Sequence, residues 1–191
     1  MNVKPALVTL FPEVYKMTSF KTRRVVKLSD MKEYFIDKKA VHEILASGKD
    51  PIIFEYCEYS AQETAENLNF GITTIYPGKI GKEYYMTRGH FHAKNAAEVY
   101  VGISGHGMLL MQTREGEVSW LEIEPYKIVY VPPNWGHKTI NTGTESLVVL
   151  FVYRSDAGHE YESLKKKGFA KIVIEEEGVT KVVDKNHYLK Q

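Results

Sequence analysis

The chain has 191 residues, enough for one domain that buries its own core without disulfides. Lys and Arg number 25 against 24 Asp and Glu, a net charge of +1, so neither a basic nucleic-acid surface nor an acidic solvating tail is expected. The single cysteine, Cys57, has no partner for an internal disulfide, the first residues carry no charged-then-apolar leader, and the longest apolar run, Leu147 to Tyr153, falls far short of the roughly 20 residues that span a bilayer. A cytoplasmic protein with a small-molecule partner, and with no nucleic-acid or membrane partner, is expected.

The first 50 residues hold one amphipathic helix, in which Val41, Ile44 and Leu45 recur at helical spacing after Asp37-Lys38-Lys39 and Gly48 ends it. The remainder of that stretch alternates little and is expected to pack as an arm or as extra strands, a second subunit being one surface it can pack against. From Pro51 onward come short runs rich in β-branched and aromatic residues: 52–59, 70–76, 98–103, 108–113, 118–123, 127–131 and 147–153. Turn residues separate them at Pro77-Gly78, Ser104 to Gly107, Arg114 to Gly116 and Asn141 to Gly143, a spacing that suits an antiparallel sandwich or barrel and not a parallel α/β sheet. A polar helix about 161–167 and a hairpin, 171–175 with 179–183 turning at Glu177-Gly178, close the chain.

In Gly89-His90-Phe91-His92, two imidazoles at i and i+2 project from one face of a strand, with Phe91 on the other. Glu98 follows after enough chain to turn and re-enter the sheet, and His137 comes after the corner Pro132-Pro133-Asn134-Trp135-Gly136. Three imidazoles and a carboxylate make a borderline site for Fe, Mn, Co, Ni or Zn with room for water or substrate. A His-x-His pair by itself is more often a surface or hydrogen-bonded core feature than a ligand pair. His42, His106 and His187 lie in a helix, a turn and a tail and are assigned to the surface; Trp120 and Trp135 are assigned to packing.

The set His90-x-His92, Glu98 and Gly105, with Pro132-x-Asn134-x-x-His137-x-x-x-Asn141 later, resembles the two cupin motifs. Tyr84 and Tyr126 stand where those motifs carry glycine, and Asn134 takes a third such position, for which Asn is the best-suited non-glycine residue. The resemblance implies an all-β cupin barrel, a double-stranded β-helix or jelly roll, with a few peripheral helices. One domain over 1–191 is expected: an N-terminal arm and helix at 1–50, the barrel at 51–155, and a C-terminal helix and hairpin at 156–191.

Further segments, Tyr76 to Glu83, Thr87 to Lys94, Ala97 to Tyr100, Val129 to Pro133, Asp156 to Tyr161 and Lys167 to Glu176, are similar to the archaeal, cupin-type glucose-6-phosphate isomerases. The last of these lies outside the general cupin motif and is therefore more specific. The resemblance implies a homodimer that interconverts glucose 6-phosphate and fructose 6-phosphate in glycolysis and gluconeogenesis. It implies one divalent metal per subunit, iron(II) foremost, at His90, His92, Glu98 and His137. It also implies that Thr73, Thr87, Gly89 and Tyr153 hold the phosphate, with Tyr100, His159 and Tyr161 lining the sugar pocket. Hydroxyls and a backbone N–H are suitable phosphate donors, though Thr73 and Thr87 are also ordinary strand residues, Tyr153 an ordinary core residue, and Arg88 either a charge for the site or a solvent-facing side chain.

Two routes fit an aldose–ketose exchange. In one, Glu98 moves a proton from C2 to C1 through a cis-enediol; in the other, hydrogen passes between the carbons as hydride and Glu98 only ligates. The enediol is favoured here, with His159 or Tyr161 assisting ring opening or proton exchange at O1 and O2. The rival functions are an iron dioxygenase on the same scaffold and a non-enzymatic sugar-binding cupin.

Overall fold

The structure, a computed structural model, describes residues 10–11, 16–17 and 20–189; the rest of the N-terminal arm and the two C-terminal residues lie outside the described residues. The principal strands are β1 (Thr22–Lys27), β2 (Ile52–Tyr59), β3 (Leu68–Ile75), β4 (Glu98–Ser104), β5 (Gly107–Gln112), β6 (Val118–Ile123), β7 (Ile128–Val131), β8 (Gly136–Asn141), β9 (Leu147–Arg154), β10 (Lys171–Glu176) and β11 (Val179–Asp184). The longer helices are α1 (Lys38–Ala46) and α2 (Glu162–Lys167). The chain is all-β with a few peripheral helices, as expected.

Two antiparallel sheets face each other in the jelly-roll manner of a cupin. The larger has six strands in the order β7-β4-β9-β3-β2-β1, and the smaller has three, β6-β5-β8. Single bridges, Met86 to Ile140 and His90 to His137, tie the segment before β4 to β8. The core between the sheets includes Leu109, Leu110, Ile123, Ile140 and Leu147, each at most 1% exposed. Removing side chains of this size from water contributes about 1.5–3 kcal/mol apiece, so this layer carries much of the stability that holds the cavity walls in place. The hairpin β10-β11 pairs with Glu83–Tyr84 and closes one flank.

Local chemistry explains the element ends. The Asp37 side chain accepts from the Ala40 N–H at 2.9 Å and caps α1, and Gly48 stops it with φ +80°. Glu177 and Gly178, at φ 56° and 76°, form the left-handed pair that a two-residue hairpin needs. Asn134 takes φ 66°, the left-handed turn expected of it. Tyr126 takes φ 71° where the motif prefers glycine, and it tolerates the strain with its ring 96% exposed, clear of any neighbour that would clash. Tyr84 is buried instead, its hydroxyl 2.9 Å from Thr180.

Two sequence expectations change. Strand β8, which carries His137, was not foreseen, because Gly136-His137-Lys138-Thr139 shows no apolar alternation; all six of its residues are buried, so both faces are covered. The arm contributes β1, an extra strand paired along β2, which is one of the two placements expected for it. Trp120 is 41% exposed on the outer face of β6 and is not a packing residue. His42, His106 and His187 lie at the surface as expected. No helix among the described residues is long and apolar enough to cross a membrane.

Candidate active site

Strand pairing builds a cavity of about 340 Å³ on the inner face of the six-stranded sheet. Residues directly opposite on antiparallel neighbours share a face. Tyr100 sits opposite Phe151, Phe151 opposite Gly71, Gly71 opposite Glu58, and Glu58 opposite Thr22. One step along, Glu98 faces Tyr153; in the other direction, Thr73 faces Tyr56 and Tyr56 faces Arg24. Gly71 is required in this row, because a Cβ there would lie 2.5 Å from the Phe151 ring and 2.2 Å from a backbone oxygen. Gly89 closes the opposite wall at φ +76°, with the Phe169 ring where a side chain would go.

The expected ligand set comes together. One atom from each of His90, His92, Glu98 and His137 lies within 4.8 Å of the others. Glu98 is 3% exposed, and its Oε2 sits 3.1 Å from Nε2 of His92, 3.0 Å from Nε2 of His137 and 3.9 Å from Nε2 of His90. On the far side of two rings, His92 Nδ1 meets the Ala96 carbonyl at 2.9 Å and His137 Nδ1 meets the Trp135 carbonyl at 3.1 Å. A carbonyl only accepts, so each Nδ1 carries a proton and each neutral ring turns its Nε2 lone pair toward Glu98. Acceptors then face an acceptor at about 3 Å. Either a second proton on each ring or a shared cation must reconcile them.

The third ring points to the cation. His90 Nε2 is buried without a hydrogen-bond partner among the described residues. Burial, then the neighbouring His137 and His159, hold His90 well below the usual imidazole range, so it stays neutral with a free lone pair. Burial opposes ionisation of Glu98, yet with a second proton on each ring the hydrogen bonds from His137 and His92 prevail and hold its carboxyl well below the ordinary value, and a shared cation acts in the same direction. Three imidazole nitrogens and one ionised oxygen, with the other ring nitrogens oriented by backbone carbonyls, fit one divalent metal of the borderline class.

The other expected residues line the same cavity: Thr73, Thr87, Gly89, Tyr100, Tyr153, His159 and Tyr161. Thr87 Oγ1 accepts from the Thr139 N–H at 3.0 Å, which leaves its own proton free to donate. Burial, then the adjacent Glu98, push the Tyr100 phenol well above its usual value, so it remains a donor. The His159 ring lies 4.4 Å from that of His90 and stacks on Tyr161 at 5.9 Å, at the mouth of the cavity. Partial desolvation there lowers His159 and raises Tyr161, which keeps both uncharged.

Sequence reasoning missed Arg24, Tyr56 and Glu58, which come from β1 and β2 and enter the wall only through strand register. Arg88, left open between two readings, lines the cavity with its Nε buried. With Arg24 it supplies positive charge to the lining.

A family profile described as Glucose-6-phosphate isomerase (GPI) matches residues 25–191. The glucose-6-phosphate isomerase of Thermococcus kodakarensis is 52% identical over 161 residues, 84% of this chain and 84% of that protein. That of Pyrococcus furiosus is 48% identical over 169 residues, 88% of this chain and 89% of that protein. A more distant one, from Sinorhizobium medicae, is 36% identical over 168 residues, 86% of this chain and 78% of that protein. Solved oxalate decarboxylase from Bacillus subtilis overlaps at 20% identity with a TM-score of 0.45, over 71% of this chain and 28% of that one. With the profile covering nearly all of the sequence and relatives at about half identity spanning most of it, this chain belongs to the glucose-6-phosphate isomerase family, in its cupin form.

Proposed function

We propose that this enzyme interconverts glucose 6-phosphate and fructose 6-phosphate, in glycolysis and gluconeogenesis, through a cis-enediol with Glu98 as base. The observation that carries the reading is the shared cavity: His90, Glu98 and His137 of the ligand cluster, together with Thr73 and Thr87, line one space. A sugar phosphate anchored at the threonines can present C1 and C2 to Glu98.

His90, His92, Glu98 and His137 would hold an iron(II) ion, or Mn, Co, Ni or Zn in its place, which when bound supplies a Lewis acid for the two sugar oxygens. Glu98 takes the C2 proton of the open aldose as the electron pair moves into the C1–C2 bond and O1 gains a proton. Returning the proton to C1 while O2 gives one up yields the ketose. Tyr161, a phenol that keeps its proton, donates to a sugar oxygen, and neutral His159 accepts the ring hydroxyl proton during opening. Thr73, Thr87, Gly89 and Tyr153 bind the phosphate, and Tyr100 donates within the sugar pocket.

One observation favours the hydride route: the depressed pKa of Glu98 makes it a weak base. Isotope transfer separates the two. Substrate deuterated at C2 and turned over in ordinary water loses its label to solvent by way of the enediol and carries it to C1 in the hydride shift.

A homodimer is part of this reading, supported by the exposed apolar band of Trp120, Leu121, Ile128 and Tyr130. One domain over 1–191 and a cytoplasmic location complete it, the first supported by a core cluster that runs from Val26 to Val173.

A further inference from the structure

A second cavity, of about 330 Å³, lies behind the catalytic one, between the segment that leads into α1 and the end of α2. Seven cations line it: Lys38, Arg88, Lys138, Lys165, Lys166, Lys167 and Lys185. None but Lys38 makes an ion pair within 4.0 Å among the described residues. Glu33, the carboxylate on this wall, pairs with Lys38 at 3.4 Å.

Lys138 is the most telling of the seven. Its side chain leaves β8 on the face away from His137 and is 6% exposed, yet its ammonium finds only the Met86 sulfur, at 2.9 Å, and the Phe169 ring, at 4.9 Å. Glu83, the buried carboxylate whose charge reaches it, accepts from the Ile36 and Asp37 N–H groups instead, at 2.6 and 3.1 Å. Arg88 Nε, on the same wall, is buried without a partner. A buried ammonium without an oxygen acceptor and a buried guanidinium Nε without a partner, ringed by four lysines, have the chemistry of an anion site. Phe35, Phe169 and Leu164 give the cavity an apolar wall as well.

We propose that this cavity binds a phosphate dianion, inorganic or as a monoester, at Lys138 and Arg88 with the α2 lysines at its mouth. Because Arg88 lines both cavities, occupancy is coupled to the sugar-phosphate site. That coupling rests on the isomerase reading; the binding does not.

The test is phosphate binding to metal-loaded protein, followed by calorimetry and phosphorus NMR, for the wild type, Lys138→Met, the pair Lys166→Glu/Lys167→Glu, and Thr87→Ala. The expected result is two phosphates per chain in the wild type. One affinity weakens about tenfold or more in each lysine variant, while Thr87→Ala loses the other. Adenosine monophosphate in place of phosphate separates the sources: tighter binding assigns the apolar wall to the ester group, and equal binding assigns recognition to the dianion alone. A single phosphate per chain that both lysine variants leave unchanged would overturn the proposal, and if Lys138→Met does not fold, the surface pair decides. Isomerase failure with the second phosphate still bound would sink the catalytic reading and not this one.

Discussion

The Tyr153 hydroxyl donates a 2.8 Å hydrogen bond to Oε2 of Glu58 and accepts one from Asn69 Nδ2 at 3.3 Å. The phenol's single proton is thereby committed to a carboxylate two strands away. A phosphate that uses Tyr153 must take that proton from Glu58 and sit near its negative charge.

Glu58→Gln is therefore expected to lower the Michaelis constant for fructose 6-phosphate by about fivefold, the effect of removing roughly 1 kcal/mol of like-charge repulsion, with little change in kcat. Steady-state kinetics would show it. A higher Michaelis constant would mean that Glu58 orients Tyr153 for the substrate.

Thr87→Ala removes the hydroxyl that is free to donate into the cavity and leaves the Thr139 N–H without its acceptor. The Michaelis constant should rise about tenfold, metal content should not change, and stability should fall by about 1 kcal/mol. An unchanged Michaelis constant would remove Thr87 from phosphate binding.

Glu98→Gln keeps the shape of the side chain but removes the charge that His92 and His137 face. Bound metal, measured on purified protein, should drop, and kcat should fall by about a hundredfold or more. Turnover near the wild-type level would exclude Glu98 as both ligand and base.

Lys138 offers a pH test. Burial lowers its pKa to about 8, so the folded protein disfavours the charged form. The cost is fully present below pH 8, where Lys138 is charged in both folded and unfolded states, and it vanishes as pH rises past the unfolded lysine value. Lys138→Met should stabilise the protein at pH 7 by about 1 kcal/mol. That advantage should shrink between pH 8 and pH 10.5 in thermal melts, 10.5 being the ordinary lysine value. A loss of stability at pH 7 would mean that the charge is satisfied, through Glu83, better than its contacts suggest.

The metal cluster was legible because His90 and His92 share a strand face and the motif names Glu98 and His137. The strands were legible where β-branched residues run between glycine turns: the expected bounds of β2 and β6 match those observed. Strand β8 was hidden because both of its faces are buried by polar as well as apolar residues, leaving no period-two pattern to read. The Arg24, Tyr56 and Glu58 wall was hidden for another reason. In Thr22–Lys27 the inward positions are Thr22, Arg24 and Val26, which look like a solvated arm until pairing with β2 turns them toward Thr73. The second cavity depends on tertiary packing that brings α2 beside Lys138, a contact without any sequence period.

Metal-dependent isomerisation of a sugar phosphate at the His/His/Glu/His cavity is tested most directly by a coupled assay from fructose 6-phosphate to glucose 6-phosphate. Chelator-stripped protein is assayed first, and then protein with Fe, Mn, Ni, Co or Zn restored separately. Activity is expected to vanish on stripping and to return with metal, ranked by ion. Folded protein that rebinds a metal and turns over no fructose 6-phosphate would contradict it, and so would full activity without metal.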